Sequence, residues 1–127
     1  MNKQIITTAS FFGLLAVIAG AFGAHGLKAV INEQQLAVWH TAVEYQFYHV
    51  FALLFLSTFA RDTKYINTSY WLFTFGIILF SGSLYLLACR DLLGLSWLWI
   101  MGPVTPIGGL LFIAGWISLL LAGLRGK

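Results

Sequence analysis

The run AVWHTAVEYQFYHVFALLFLSTFA, residues 37–60, decides the fold. From Val50 onward it is apolar apart from two hydroxyls, whereas its first half carries His40, Glu44, Gln46 and His49. Three other stretches, 5–24, 69–88 and 105–124, hold no ionisable acid, base or histidine. Each has about the 20 residues that cross about 30 Å of hydrocarbon at about 1.5 Å per residue. Taking 39–60 as a fourth span makes the chain an all-α integral membrane four-helix bundle, one membrane domain over residues 1–127.

Composition agrees with a bilayer as the first partner. The 127 residues are 60% hydrophobic, 17% aromatic and 9% charged, against about a quarter charged in soluble domains. A formal net charge of +3, with the basic residues scattered among apolar runs, argues against a nucleic-acid surface. The single cysteine, Cys89, forms no intramolecular disulfide, and no CxxC or Cys/His finger spacing occurs, so no metal site is expected. Lys3 ahead of the first apolar run, with Ala21 and Gly23 near its end, resembles a secretory signal. The run is longer than a signal core, however, and reads as an uncleaved helix.

Counting Lys and Arg sets the orientation. Lys3, Arg61, Lys64, Arg125 and Lys127 fall on one side of a four-span chain, and Lys28 and Arg90 on the other, so both termini are expected in the cytoplasm. Asn32 three residues before Gln35 is a capping-box spacing that starts helix two near Glu33. Asn67, Thr68 and Ser69 precede the third span, and Thr105-Pro106 reads as N-cap and first helical residue of the fourth. Residues 27–38 mix Leu27, Val30 and Ile31 with Lys28, Asn32 and Glu33, and predict a short interfacial turn or helix between helices one and two.

Helices in lipid associate through small residues, because lipid tails are as apolar as leucine. Helix one offers Ala9, Gly13, Ala16, Gly20 and Ala24, with Gly23 beside them, and helix four offers Gly108, Gly109, Gly115, Ser118 and Ala122. These stripes predict close packing within one bundle, or a second subunit on one of them. Trp71, Trp97, Trp99 and Trp116 read as interfacial anchors.

The polar residues can be placed by depth. A ruler of about 1.5 Å per residue puts His49 near the midplane, Glu44 about 6 Å inside one boundary and His40 at that boundary. His25, Ser81, Ser83, Tyr85, Arg90 and Thr105 fall in the same outer half. At about 100° per residue, Glu44 lies about 40° and His49 about 180° from His40, and Tyr45 can meet His49 one turn away. An unpaired charge at that depth costs several kcal/mol. Glu44 is therefore expected to face the bundle, with Arg90 as leading partner. The candidate polar pocket is Glu44, His49, His40, His25, Arg90, Gln46, Tyr45, Tyr85, Ser81, Ser83 and Thr105. It reads either as an internal strut or as a ligand site. Haem ligation fits poorly because His40 and His49 point apart, a di-metal centre lacks its Glu-x-x-His motifs, and no HExxH, GxSxG or P-loop pattern occurs. No cofactor and no catalytic residue is expected.

Taken together, GAFGAHGL (20–27), WHTAVEYQFYH (39–49), FSGSLY (80–85), GPVTPIGG (102–109) and the later GW (115–116) resemble the small bacterial inner-membrane proteins of the domain-of-unknown-function 423 family, the YgdD/YwdK-like proteins with eukaryotic transmembrane relatives. The resemblance spans nearly the whole chain, with the motifs in order. It implies a multi-pass protein of the bacterial cytoplasmic membrane, and it brings no substrate or catalytic residue. The expected function is a non-enzymatic interaction or accessory protein, oligomeric or bound to another membrane protein. The alternative is a binder or transporter of a small ligand, lipid or proton.

Overall fold

In the computed structural model, which describes residues 2–59 and 63–125, three of the helices start at side-chain caps. Asn2 accepts from the Ile5 N–H and starts α1, Lys3–Ala24. Asn32 and Gln35 close a full capping box, Gln35 N–H to Asn32 at 2.8 Å and Asn32 N–H to Gln35 at 3.0 Å, and start α2, Glu33–Leu56, where the spacing predicts. Between them the expected interfacial segment condenses to a 3₁₀ turn over Leu27–Ala29, with Leu27 fully buried. Ala60, the expected end of the second span, lies outside the described residues, and α2 itself stops at Leu56.

The third rod begins earlier than its Asn67–Thr68–Ser69 signal suggests. Thr63 is the cap, accepting from the Ile66 N–H, and the hydroxyl of Thr68 turns back onto the Lys64 carbonyl inside the helix. This rod is α3, Lys64–Gly76, then a π turn, Ile77–Ser81, then α4, Gly82–Ala88. A short α5, Arg90–Leu93, ends on Gly94 at φ +68°, a left-handed conformation that suits glycine. A 3₁₀ turn over Ser96–Met101 leaves Trp97 and Trp99 exposed and Leu98 buried. Helix α6, Val104–Arg125, starts one residue before the pair expected to cap it. Pro106 falls in the first turn, where a missing N–H costs no helical bond, and the side chain of Thr105 bonds to a neighbour instead.

Among the described residues, three helical stretches are long and apolar enough to cross a membrane: Lys3–Ala29, Lys64–Ala88 and Ser96–Arg125. With 24 residues α2 has the length; its polar first half leaves it short of their apolarity. Helix α2 packs against α1 on one side and the α3–α4 rod on the other, and α6 packs along that rod. Most of the small-residue positions lie in these contacts, Ala24 at the end of α1 being exposed. A Cβ at Gly13 would touch Val50 at 3.4 Å, one at Gly20 would touch Val43 at 3.6 Å, and one at Gly23 would overlap the Trp39 ring at 2.7 Å. On α6, a Cβ at Gly115 would sit 2.6 Å from the Phe73 ring, and Gly109 stands 3.8 Å from Phe80 in the same sense. The tightest approach is backbone to backbone: a Cβ at Gly108 would come within 2.7 Å of the Phe80 Cα in the π turn. Ile5, Ala9, Leu53, Leu56, Ile66, Phe73 and Phe112 form the buried core, while Leu14, Val17 and Ile18 of α1 and Ile113, Ile117 and Leu120 of α6 face outward.

Candidate functional site

Gln46 is the centre of the buried polar residues on α2. Its amide N–H donates to the Phe12 carbonyl of α1 at 2.7 Å, and its amide oxygen accepts from the Tyr85 hydroxyl of α4 at 2.7 Å. One side chain thus joins three elements. One turn below, His49 is buried and stacks on Phe112 with ring centroids 3.6 Å apart and planes 5° from parallel. The Trp116 indole donates to His49 Nε2 at 3.0 Å. An indole N–H can only donate, so Nε2 accepts and the ring proton lies on Nδ1, which donates to the Tyr45 carbonyl at 2.8 Å. The neutral imidazole therefore has both nitrogens satisfied.

Most of the remaining buried groups also end on neighbouring helices, while the Ser57 and Thr74 hydroxyls donate to the carbonyls of Leu54 and Tyr70, three and four residues back along the chain. The π turn carries Ser81, fully buried, whose hydroxyl donates to the Ala42 carbonyl at 2.7 Å. Ser83 and Thr105 share a short hydroxyl–hydroxyl bond between α4 and α6. Ser69 donates to the Gly115 carbonyl at 2.9 Å, Ser118 to the Tyr65 carbonyl at 2.8 Å, and the Trp39 indole to the Ala19 carbonyl at 2.8 Å. Thr8 and the Tyr70 hydroxyl lie 2.7 Å apart. Among the described residues no buried side-chain polar atom lacks a partner.

Other expected members stand outside this network. Glu44 is exposed, and the Tyr48 hydroxyl at 3.4 Å is its hydrogen-bond partner. The expected Glu44–Arg90 pair is not formed: Arg90 lies 3.9 Å from Asp91, which also accepts from Gln35 at 2.8 Å. The reason is angular. Gln46 takes the inward position, and Glu44, two residues earlier, lies about 200° round the helix. His25 and His40 are exposed and Tyr45 is 40% exposed, leaning on Phe80. Trp116, expected as an interfacial anchor, instead turns its N–H inward to His49. Cys89, just past α4, is partly buried, which pushes its thiol up from the ordinary value. Among the described residues no group of three His, Cys, Asp or Glu side chains could hold a metal ion.

Sequence reasoning missed the serine and tryptophan ties at Ser69, Trp39 and Trp116. Their signal was available: Ser69 and Ser118 occupy small-residue positions, where a hydroxyl in lipid must find a carbonyl.

Beside Gln46 a groove of about 430 Å³ opens between α1 and the third rod, lined by Phe12, Leu15, Phe22, Trp39, Gly82 and Tyr85 among others. Its wall is almost wholly apolar, and Gln46 and Tyr85 of the internal network are among the residues that line it.

A model of a protein family of unknown function, DUF423, matches residues 19–109, which include α2, the π turn and the Gln46–Tyr85 bond. A UPF0382 membrane protein of Staphylococcus aureus is 44% identical over 121 residues, 94% of each chain. The UPF0382 membrane protein YwdK of Bacillus subtilis is 40% identical over 126 residues, 97% of this chain and 98% of its own. One from Haemophilus influenzae is 38% identical over 128 residues, 100% of this chain and 98% of its own. No solved structure matches.

Proposed function

The chain belongs to the DUF423 family of membrane proteins, and on that premise we propose that it is a non-enzymatic interaction or accessory protein of the bacterial cytoplasmic membrane. In this reading it is a multi-pass four-helix bundle with both termini in the cytoplasm, and Gln46, His49, Ser81, Ser83, Tyr85 and Thr105 brace it internally. The length of α2 and its packing between two apolar rods support a fourth crossing. One observation carries the proposal: every buried polar side-chain atom among the described residues already has a partner. A proton path or catalytic centre needs polar groups free to exchange partners, whereas here Gln46, His49, Ser69, Ser81, Ser83 and Ser118 are each tied to an adjacent helix.

The test is proton flux into vesicles holding the reconstituted protein and an internal pH-sensitive dye. The wild type is expected to match protein-free vesicles. Flux that disappears in Glu44→Gln would overturn the reading. Replacing Gln46 by Leu is expected to lower stability by about 1–2 kcal/mol, since it orphans the Tyr85 hydroxyl.

The groove beside Gln46 favours a second reading, a site for a small apolar ligand or a lipid chain. A Cβ at Gly82 would meet nothing within 4 Å, so Gly82→Leu should fill the space without disturbing the fold. Quenching of the chain's tryptophans by brominated lipid should then fall in that variant; unchanged quenching removes this reading.

A further inference from the structure

The internal network leaves one charged group unexplained. Val43 packs on Gly20, four residues inside the end of α1, and Ala42 meets Ser81, seven residues inside the end of α4. Glu44 therefore sits about 6–10 Å inside the ends of two apolar helices, on the outer side of α2. An ionised carboxylate facing lipid there costs several kcal/mol, and the Tyr48 hydroxyl at 3.4 Å offsets little of it. One turn toward the helix start stands His40, also exposed. Tyr48, Phe51 and Phe55, exposed by 52%, 61% and 53%, continue the same face toward the other end.

This face differs from the others. The outward residues of α1 and α6, such as Leu14 and Ile117, gain nothing from a protein neighbour that lipid tails do not already give. The α2 face carries an acid and a base one turn apart above a row of aromatic rings. Two such faces related by a twofold axis along the membrane normal are self-complementary, because a parallel pair can set each acid against the other copy's base.

We propose that a second copy of the chain covers this face. Each Glu44 carboxylate pairs with His40 of the other copy, and Tyr48, Phe51 and Phe55 form the apolar part of the contact. The proposal names the partner within the interaction-protein reading and rests on it.

The experiment uses the full chain with Cys89→Ser in phospholipid vesicles and a short bis-maleimide cross-linker. Phe51→Cys is expected to give a covalent dimer, while Leu14→Cys and Ile117→Cys give none above the rate of random encounter. Adding Glu44→Gln to Phe51→Cys should lower the cross-linked fraction about tenfold, and the exchange His40→Glu with Glu44→His should restore it. Equal cross-linking at all three positions, or cross-linking indifferent to Glu44 and to the exchange, overturns the proposal. Neither result touches the interaction-protein reading, which falls only if the flux assay shows Glu44-dependent transport.

Discussion

At the scale of a residue, His49 is informative because its surroundings fix its proton. Trp116 donates to Nε2 and the Tyr45 carbonyl takes the proton of Nδ1, so the ring serves as a two-ended connector between α6 and its own helix. A second proton would have to displace the indole. The Trp116 bond is therefore expected to show as coupling: His49→Leu and Trp116→Phe should each destabilise the protein, with an interaction energy of about 0.6 kcal/mol and an upper limit of about 1.7 kcal/mol for a membrane hydrogen bond. Equilibrium unfolding of the two single variants and the double variant in mixed micelles measures it. Strict additivity would mean that the bond contributes nothing. Gly108 makes a different point, since its constraint is steric: the Phe80 Cα occupies the place of a side chain.

At the scale of an element, the sequence was most legible where a local rule is decisive. The Asn32–Gln35 spacing located the start of α2 because a capping box is closed within four residues. The opposite orientation of His40 and His49 followed from helical angle alone. That arithmetic could not choose between Glu44 and Gln46 as the inward group. The choice depends on the Phe12 carbonyl and the Tyr85 hydroxyl, which come from residues far along the chain. The π turn was illegible for a related reason. The run IILFS looks like any apolar helix, and the departure from α geometry goes with the close approach of Gly108 and the buried bond of Ser81 to Ala42. The early starts of α3 and α6 belong with these: Thr63 and Val104 lie outside the apolar runs used to find the spans, so hydropathy placed both boundaries late.

At the scale of the whole molecule, the helices are held by small-residue contacts and by single hydrogen bonds from a side chain to a neighbour's carbonyl or hydroxyl. The membrane class and the three apolar rods were legible because composition over about 20 residues is a strong signal. The pattern of bonds was not, because it is set by which helices become neighbours. The unequal apolarity of the rods also bears on how the protein reaches its membrane. Helix α2 carries Glu44 and two histidines, and residues of this kind raise the cost of inserting a single helix by about 1–3 kcal/mol each, depending on depth. Only in company does α2 cover Gln46 and His49, the first against α1 and the third rod, the second against α6. Isolated α2 in an insertion reporter is thus expected to enter the bilayer poorly. Attaching α1 ahead of it, or replacing Glu44 by Leu, should raise the inserted fraction several-fold, and efficient entry of α2 alone would refute this. Biogenesis would then proceed by hairpins, with α1 waiting beside the translocon as the escort that lets its more polar successor leave the pore.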